Sequence, residues 1–189
     1  APEEIISWAI ARSKRPVLTT NFKPFAATLL HAVSEINRQI PVIWCDTGYN
    51  TPQTYRHAAD LTRLLNLNMH VYTPKHTTAY RDAIMGMPDL EDPRHQEFTE
   101  QVKLEPFRRA MQEHRPDVWF TNLRRGQTAY RDTLNILSID RMGRLKVSPF
   151  YFWNETQLET YLLTNNLPNE HKYFDPTKVL AHRECGLHI

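Results

Sequence analysis

The chain has 189 residues, 41% of them apolar and 23% charged, with a formal net charge of +2. That length suits a single domain spanning residues 1–189 with a full core, and so small a net charge argues against wholesale nucleic-acid or membrane binding. No run approaches the roughly twenty apolar residues of a membrane span, the segment Ile5 to Ile10 is too short and acid-flanked for a secretory signal, and two cysteines, Cys45 and Cys185, make neither a disulfide framework nor a four-thiolate metal site.

Short apolar runs alternate with amphipathic stretches, the pattern of a Rossmann-like parallel twisted α/β sheet flanked by helices. Val17 to Thr20 predicts a first strand and Phe25 to Asn37 the helix after it. Val42 to Cys45 predicts a second strand, ended by a turn at Asp46-Thr47-Gly48. Thr51-Pro52 opens a helix to about Leu65, proline being suited to a first helical turn. Met69 to Thr73 predicts a third strand, and Asp117 to Thr121 a fourth after the Arg115-Pro116 break. Between them, the charged stretch from His76 to His114 contains Pro88 and Pro93, so it reads as a loop or short helices before a longer helix from Gln96 to His114. A short helix follows Arg124-Arg125-Gly126. Asn135 to Ile139 and Leu145 to Val147 form a hairpin-like pair around Arg141-Met142-Gly143, and Asn154 to Leu163 is a last helix. Periodicity fades from Asn165 onward, predicting a loosely held, mobile tail over about 165–189.

In such sheets ligands settle beyond the carboxyl ends of the strands, where strand order reverses. Four polar clusters follow predicted strands there: Thr19-Thr20-Asn21, Asp46-Thr47-Gly48-Tyr49, Thr73-Pro74-Lys75-His76 and Asn122-Leu123-Arg124-Arg125. Arg124 and Arg125, with Arg131 about two helical turns on, can clamp an anion through forked hydrogen bonds. The plainer reading is a solvated basic turn, and the position at a strand's carboxyl end favours the anion. Asp46 can accept from a ribose hydroxyl or an amine while Gly48 allows close approach, or the two merely connect strand to helix. Spacing alone leaves these even. The loop from Thr19 through Phe22 and Lys23 to Pro24 offers backbone N–H groups to a phosphate at a helix start, with Lys23 as a point charge in place of glycine. Its plain alternative is a capped helix with Asn21 as the cap.

The two thiols differ in setting. Cys45 lies in the apolar run Pro41-Val42-Ile43-Trp44-Cys45 and reads as buried and inert. Cys185 lies among Arg183, Glu184, Gly186 and His188, where a thiol can ionise and reach a bound substrate. Arg183 favours the thiolate and Glu184 opposes it. The thiols point to a reducing, cytoplasmic compartment. The histidines, including His70, His76, His95, His114, His182 and His188, lack the paired spacing of a zinc site, so no metal is predicted.

With these residues in view, the sequence resembles the phosphoadenosine phosphosulfate (PAPS) reductase family over most of its length. The resemblance rests on Pro41-Val42-Ile43 leading into Asp46-Thr47-Gly48-Tyr49, then Pro52, Thr54 and Tyr55. It continues through Trp119-Phe120, Leu123-Arg124-Arg125, Gln127, Lys146-Val147, Pro149 and Trp153-Asn154 to Glu184-Cys185-Gly186-Leu187-His188. It implies a sheet of the adenine nucleotide alpha-hydrolase type and a thioredoxin-dependent reduction of 3′-phosphoadenylyl sulfate to sulfite and adenosine 3′,5′-bisphosphate. It makes Cys185 the nucleophile of a cysteine S-sulfonate intermediate, with Arg183 and His188 beside it. Thr19, Thr20, Asn21 and Phe22 match the family's serine-rich phosphate loop, Asp46 and Gly48 a nucleotide-facing turn, and Arg124 and Arg125 sulfate or phosphate contacts. It also implies no bound cofactor, thioredoxin as reductant, and a homodimer. The cysteines of the related iron–sulfur enzymes are missing.

Two departures stand out. Lys23-Pro24 replaces the family's glycine after the phenylalanine, and the tail is shortened between Tyr173-Phe174-Asp175 and His182, without the family's glycine-aspartate-threonine stretch. They keep a second reading alive, a diverged adenine-nucleotide-binding protein with altered or lost activity. A third, an ATP-using adenylating enzyme, is disfavoured by the lack of a Ser-Gly-Gly-x-Asp-Ser loop at Thr19 to Pro24.

Overall fold

A computed structural model describes residues 1–178. Among the described residues, six strands form one sheet: β1 (Pro16–Thr20), β2 (Pro41–Cys45), β3 (Asn68–Tyr72), β4 (Val118–Phe120), β5 (Leu137–Ile139) and β6 (Leu145–Val147). Their order is β3-β2-β1-β4-β6-β5, and every pairing is parallel except β5 with β6. The order reverses between β1 and β4, which pair Leu18 with Phe120. The hairpin-like pair is present as β5 and β6, with Ser138 opposite Lys146.

Strand periodicity of two sorts these side chains into two cores. Leu18, Val42, Phe120 and Val147 face the larger one, where α1 (Pro2–Arg12), α2 (Ala26–Ile36), α3 (Pro52–Leu64) and α8 (Glu155–Thr164) contribute Ile6, Leu29, Leu30, Val33, Leu61 and Leu158. Val17, Ile43 and Trp119 face the smaller one, closed by Phe107, Ala110 and Met111 of α6 (Glu105–His114). The central helix α2 packs against both α1 and α8 as well as β1, which is why it is buried on nearly every side. Thr51 caps α3 through Thr54 N at 3.1 Å, with Pro52 in the first turn. Asn154 and Gln157 exchange side-chain bonds to each other's backbone N–H at 2.9 Å, a capping box that starts α8.

The region before β4 contains α4 (Thr78–Ile84), α5 (His95–Thr99), a π-helical turn (Glu100–Leu104) and then α6. The long helix expected from Gln96 to His114 is therefore present but locally widened. Pro106 explains the widening, because its ring would clash with the carbonyl of Val102 in an ordinary helix and it has no N–H to donate. The four-residue helix α7 (Ala129–Asp132) follows β4.

Part of the tail expected to be loose is tied down. Asn169 Oδ1 accepts from Phe25 N at 2.8 Å, and the Lys172 carbonyl accepts from the Thr51 and Thr54 hydroxyls at 2.8 and 3.1 Å. These ties lie more than a hundred residues apart in sequence, out of reach of any periodicity argument.

The packing predicts a contrast. Leu18→Ala, at the centre of the larger core, lowers unfolding free energy by about 2–5 kcal/mol, whereas Leu163→Ala, on the exposed side of α8, stays within about 0.5 kcal/mol. Urea denaturation of both variants checks this.

Candidate active site

The loop leaving β1 is wound tightly on itself. Thr19 Oγ1 accepts from Trp119 Nε1 at 2.8 Å, joining β1 to β4. Thr20 Oγ1 accepts from Phe22 N at 3.1 Å and Asn21 Oδ1 from Lys23 N at 3.2 Å. Phe22 and Phe25 both adopt left-handed backbone angles, φ +53° and +66°. Their rings explain why so unusual a conformation holds. Phe22 is fully buried with its edge against Trp44, centroids 4.9 Å apart. Phe25 lies beneath the Arg124 guanidinium at 5.3 Å.

This winding leaves fewer free N–H groups for the expected backbone phosphate cradle. The N–H groups of Phe22, Lys23 and Phe25 all donate within the protein. The helix α2 starts within a residue of its expected place, but the residue before its first turn is Phe25 and not Asn21, whose amide oxygen closes a turn on Lys23. What the loop presents is therefore the Lys23 side chain.

Across the strand reversal, the loop after β4 supplies the other cations. Arg124 and Arg131 are 9% and 5% exposed. The Gln127 side-chain oxygen accepts from Arg124 N at 3.0 Å and from Arg131 Nη1 at 2.6 Å. Tyr151 OH donates to the Arg131 carbonyl at 2.6 Å, and Asn122 Nδ2 donates to the Phe25 carbonyl at 3.2 Å, so the two loops are bonded together. Arg124 Nε is buried and has no hydrogen-bond partner among the described residues. Glu155 stands 4.0 Å from its Nη2, and that carboxylate is largely in solvent. Arg125, by contrast, points into solvent and contributes its backbone N–H to Tyr151 O.

The electrostatic result is a compact region of positive potential. Burial pushes the Lys23 ammonium down to about 7, and the charges of Arg131, Arg124, Lys178 and Lys103 push in the same direction. Burial also lowers Arg124, with Arg131 adding to the effect and Glu155 opposing it. An anion arriving among these groups would relieve their mutual repulsion and meet an unsatisfied donor.

The turn after β2 is different. Asp46 Oδ1 accepts from Gly48 N at 2.9 Å, Asn50 Nδ2 at 2.8 Å and Tyr55 OH at 2.9 Å. Burial and that carboxylate push Tyr55 up to about 12, so it remains a donor. Gly48 has φ +82°, and a β-carbon there would run into the Thr78 hydroxyl, which donates to the Gly48 carbonyl at 3.1 Å. Asp46 and Gly48 thus build the turn and seat it on α4. The cluster after β3 is likewise engaged: Arg109 donates to Thr73 O at 2.7 Å, Lys75 pairs with Glu105, and Arg81 donates to His76 O at 2.9 Å. All four clusters follow adjacent strands on one edge of the sheet, and the cations gather at the β1–β4 reversal.

Burial pushes the Cys45 thiol up to about 12, so it stays protonated, as its apolar setting implied. Cys185, Arg183 and His188 lie outside the described residues. Lys103, Lys178 and Gln127 belong beside Lys23 and the arginines, yet local pattern did not single them out as site residues. Lys103 looks like a solvated helix charge between Glu100 and Glu105, yet it lies in the π turn and is buried. Two surface grooves of about 520 and 420 Å³ lie elsewhere, one beside Trp8 and Leu137 and one along α8. Among the described residues no three His, Cys, Asp or Glu side chains group to hold a metal ion, and no helix is long and apolar enough to cross a membrane.

Residues 15–175 match the family described as the phosphoadenosine phosphosulfate reductase domain. The chain is 36% identical over 180 residues to a phosphoadenosine 5′-phosphosulfate reductase of Synechococcus sp., covering 93% of this chain and 76% of that protein. It is 35% identical over 218 residues to the protein of the same description from Synechocystis sp., covering 99% and 85%. Among solved structures, the fold is similar to the PAPS reductase from Candida auris in a phosphate complex, with a TM-score of 0.78 at 24% identity, covering 89% of this chain and 81% of that one. It is also similar, at a TM-score of 0.63 and 12% identity, to Candida glabrata FMN adenylyltransferase in complex with ATP, covering 89% and 54%. A six-stranded sheet whose order reverses beside a buried arginine pair, together with matched sequence from residue 15 to 175, places this chain in the phosphoadenosine phosphosulfate reductase family.

Proposed function

We propose that this protein reduces 3′-phosphoadenylyl sulfate to sulfite and adenosine 3′,5′-bisphosphate, with Cys185 as nucleophile and thioredoxin as reductant. The observation that carries the reading is the cluster of Lys23, Arg124 and Arg131 at the strand reversal, with a buried guanidinium N–H left unpaired by the described residues. Such a cluster is suited to a substrate whose sulfate and phosphate groups bring several negative charges.

The Cys185 thiolate attacks the sulfur of the bound sulfate group. A sulfur–sulfur bond forms, the bond from sulfur to the bridging phosphate oxygen breaks, and its electron pair leaves with adenosine 3′,5′-bisphosphate. Lys23, Arg124 and Arg131 stabilise the charge gathering on that leaving phosphate. Arg183 and His188 flank the thiol in sequence, Arg183 favouring its ionised form and Glu184 opposing it. A thioredoxin thiolate then attacks the Cys185 sulfur and sulfite departs. The second thioredoxin thiol closes a disulfide, so the dithiol supplies the two electrons. Thr19, Thr20, Asn21 and Phe22 shape the loop that presents Lys23, and Asp46 and Gly48 hold the neighbouring turn. Arg125, being exposed, meets the outer part of the nucleotide. The reading needs no iron–sulfur cluster, and carries with it a cytoplasmic setting and a homodimer.

Mass spectrometry after incubation with 3′-phosphoadenylyl sulfate should show a sulfonate adduct on Cys185 and none in Cys185→Ser. Sulfite release that persists in Cys185→Ser overturns the assignment. No adduct despite tight binding of adenosine 3′,5′-bisphosphate supports the diverged binding protein instead, a reading favoured by the consumed N–H groups of the β1 loop.

Arg131→Met should weaken adenosine 3′,5′-bisphosphate binding by about 10–100-fold, the range set by losing one charge-assisted hydrogen bond. Isothermal titration calorimetry reads this directly. The Lys23 ammonium is charged below about 7 in the ligand-free protein, and a bound anion raises that value. Affinity should therefore be full below pH 7 and fall above it, by up to about tenfold per pH unit, until the bound-state value is passed. In Lys23→Met the decline should vanish, and a decline that survives removes Lys23 from the anion site.

A further inference from the structure

Phe25 is a node between the β1 loop, the β4 loop and the chain that follows α8. Its backbone is left-handed at φ +66°, a conformation that a bulky residue keeps only where its surroundings fix it. Its N–H donates to Asn169 Oδ1 at 2.8 Å, and its carbonyl accepts from the Thr28 hydroxyl at 2.7 Å and from Asn122 Nδ2 at 3.2 Å. With its amide oxygen taken by Phe25, Asn169 turns its NH2 group to His171 Nε2 at 3.3 Å. The His171 ring stands perpendicular to that of Phe25, centroids 6.1 Å apart. The chain is fixed on both sides of this pair, since Leu167 packs on the larger core and the Lys172 carbonyl is held by Thr51 and Thr54.

The Phe25 ring in turn steadies Arg124. Gln127 fixes the Arg124 backbone but not its guanidinium. Among the described residues that guanidinium is steadied by the Phe25 ring, 5.3 Å from its centroid, and by Glu155, a largely solvated carboxylate 4.0 Å away, while Nε has no partner. So exposed an ion pair holds little, which leaves the ring as the main support. The other two cations have anchors of their own. Lys23 N donates to Asn21 Oδ1 and its carbonyl accepts from Ala26 N at 3.0 Å, and Arg131 donates to Gln127. A displaced Phe25 therefore falls mainly on Arg124.

We propose that Asn169, backed by His171, is a positioning residue of the anion site: it holds Phe25 in the left-handed conformation from which the ring steadies the Arg124 guanidinium. This rests on the reading of Lys23, Arg124 and Arg131 as that site. Without the Asn169 amide, the Phe25 N–H loses its acceptor and the left-handed backbone is released. The guanidinium is then ordered only as an anion binds, and that ordering is subtracted from the affinity.

In Asn169→Ala, affinity for adenosine 3′,5′-bisphosphate, read by calorimetry, should fall by about 3–10-fold, the scale of ordering one long side chain. In an Arg124→Met background the same substitution should change affinity by less than about twofold, because a residue acting through Arg124 has nothing left to act on. A merely structural role would weaken binding equally in both backgrounds, and either that or no loss in the wild-type background overturns the proposal. Independently of any ligand, the Phe25 ring current should place the Arg124 side-chain proton signals upfield in the NMR spectrum. Asn169→Ala should move them downfield, as Phe25→Leu should, while Asn169→Asp, which keeps the acceptor oxygen, should leave them in place. Signals that stay put in Asn169→Ala, or that move equally in Asn169→Asp, overturn the positioning role. If the wild-type protein does not bind adenosine 3′,5′-bisphosphate, the reading of the cluster fails, and the positioning role stands or falls on the NMR result alone.

Discussion

Positive charges repel, and this fold brings Lys23, Arg124 and Arg131 to one edge of a sheet where water is largely excluded. Each therefore needs a scaffold stiff enough to resist the repulsion. Gln127 bridges Arg124 and Arg131, Tyr151 fixes the Arg131 backbone, and the Phe25 ring lies under Arg124. Lys23 is held by a loop whose own side chains lock its backbone. Burial lowers the Lys23 ammonium first and the neighbouring charges lower it further, and a bound anion would offset both.

The strand reversal makes the arrangement possible. β1 and β4 are parallel neighbours whose onward connections diverge, and their carboxyl ends lie at the point of the sheet where ligands settle in folds of this class. The same reversal separates labour along the edge. The outer turns after β2 and β3 spend their polar groups on α3, α4 and α6, and the inner loops spend most of theirs on each other, leaving Arg124 Nε without a partner among the described residues.

Much of this was legible in the residues. The strands lay within a residue or two of their expected bounds because buried strands are short β-branched and aromatic runs closed by polar turns, as at Pro41–Cys45 before Asp46. Caps at Thr51 and Asn154 are local chemistry and announce their helices. Arg124 was legible as a cation at the sheet's carboxyl edge from its place after a strand. What local pattern could not give was who consumes whom. Asp46 and Asn21 have the chemistry of ligands or caps, yet the first is filled by Gly48, Asn50 and Tyr55 and the second by Lys23 N. Lys103 meets Asp175 across 72 positions, and Asn169 meets Phe25 across 144, so neither tie leaves a trace in periodicity.

The widened turn at Glu100–Leu104 has a further consequence for how this chain tolerates change in length. A π turn carries one residue more than the α-helical turn it replaces. Removing a single residue there would restore an ordinary turn and leave the helices on either side nearly in phase, whereas the same deletion inside α6 would swing the two sides by about 100°. A deletion within the π turn would instead close the space that the Pro106 ring occupies, so this stretch tolerates substitution better than shortening.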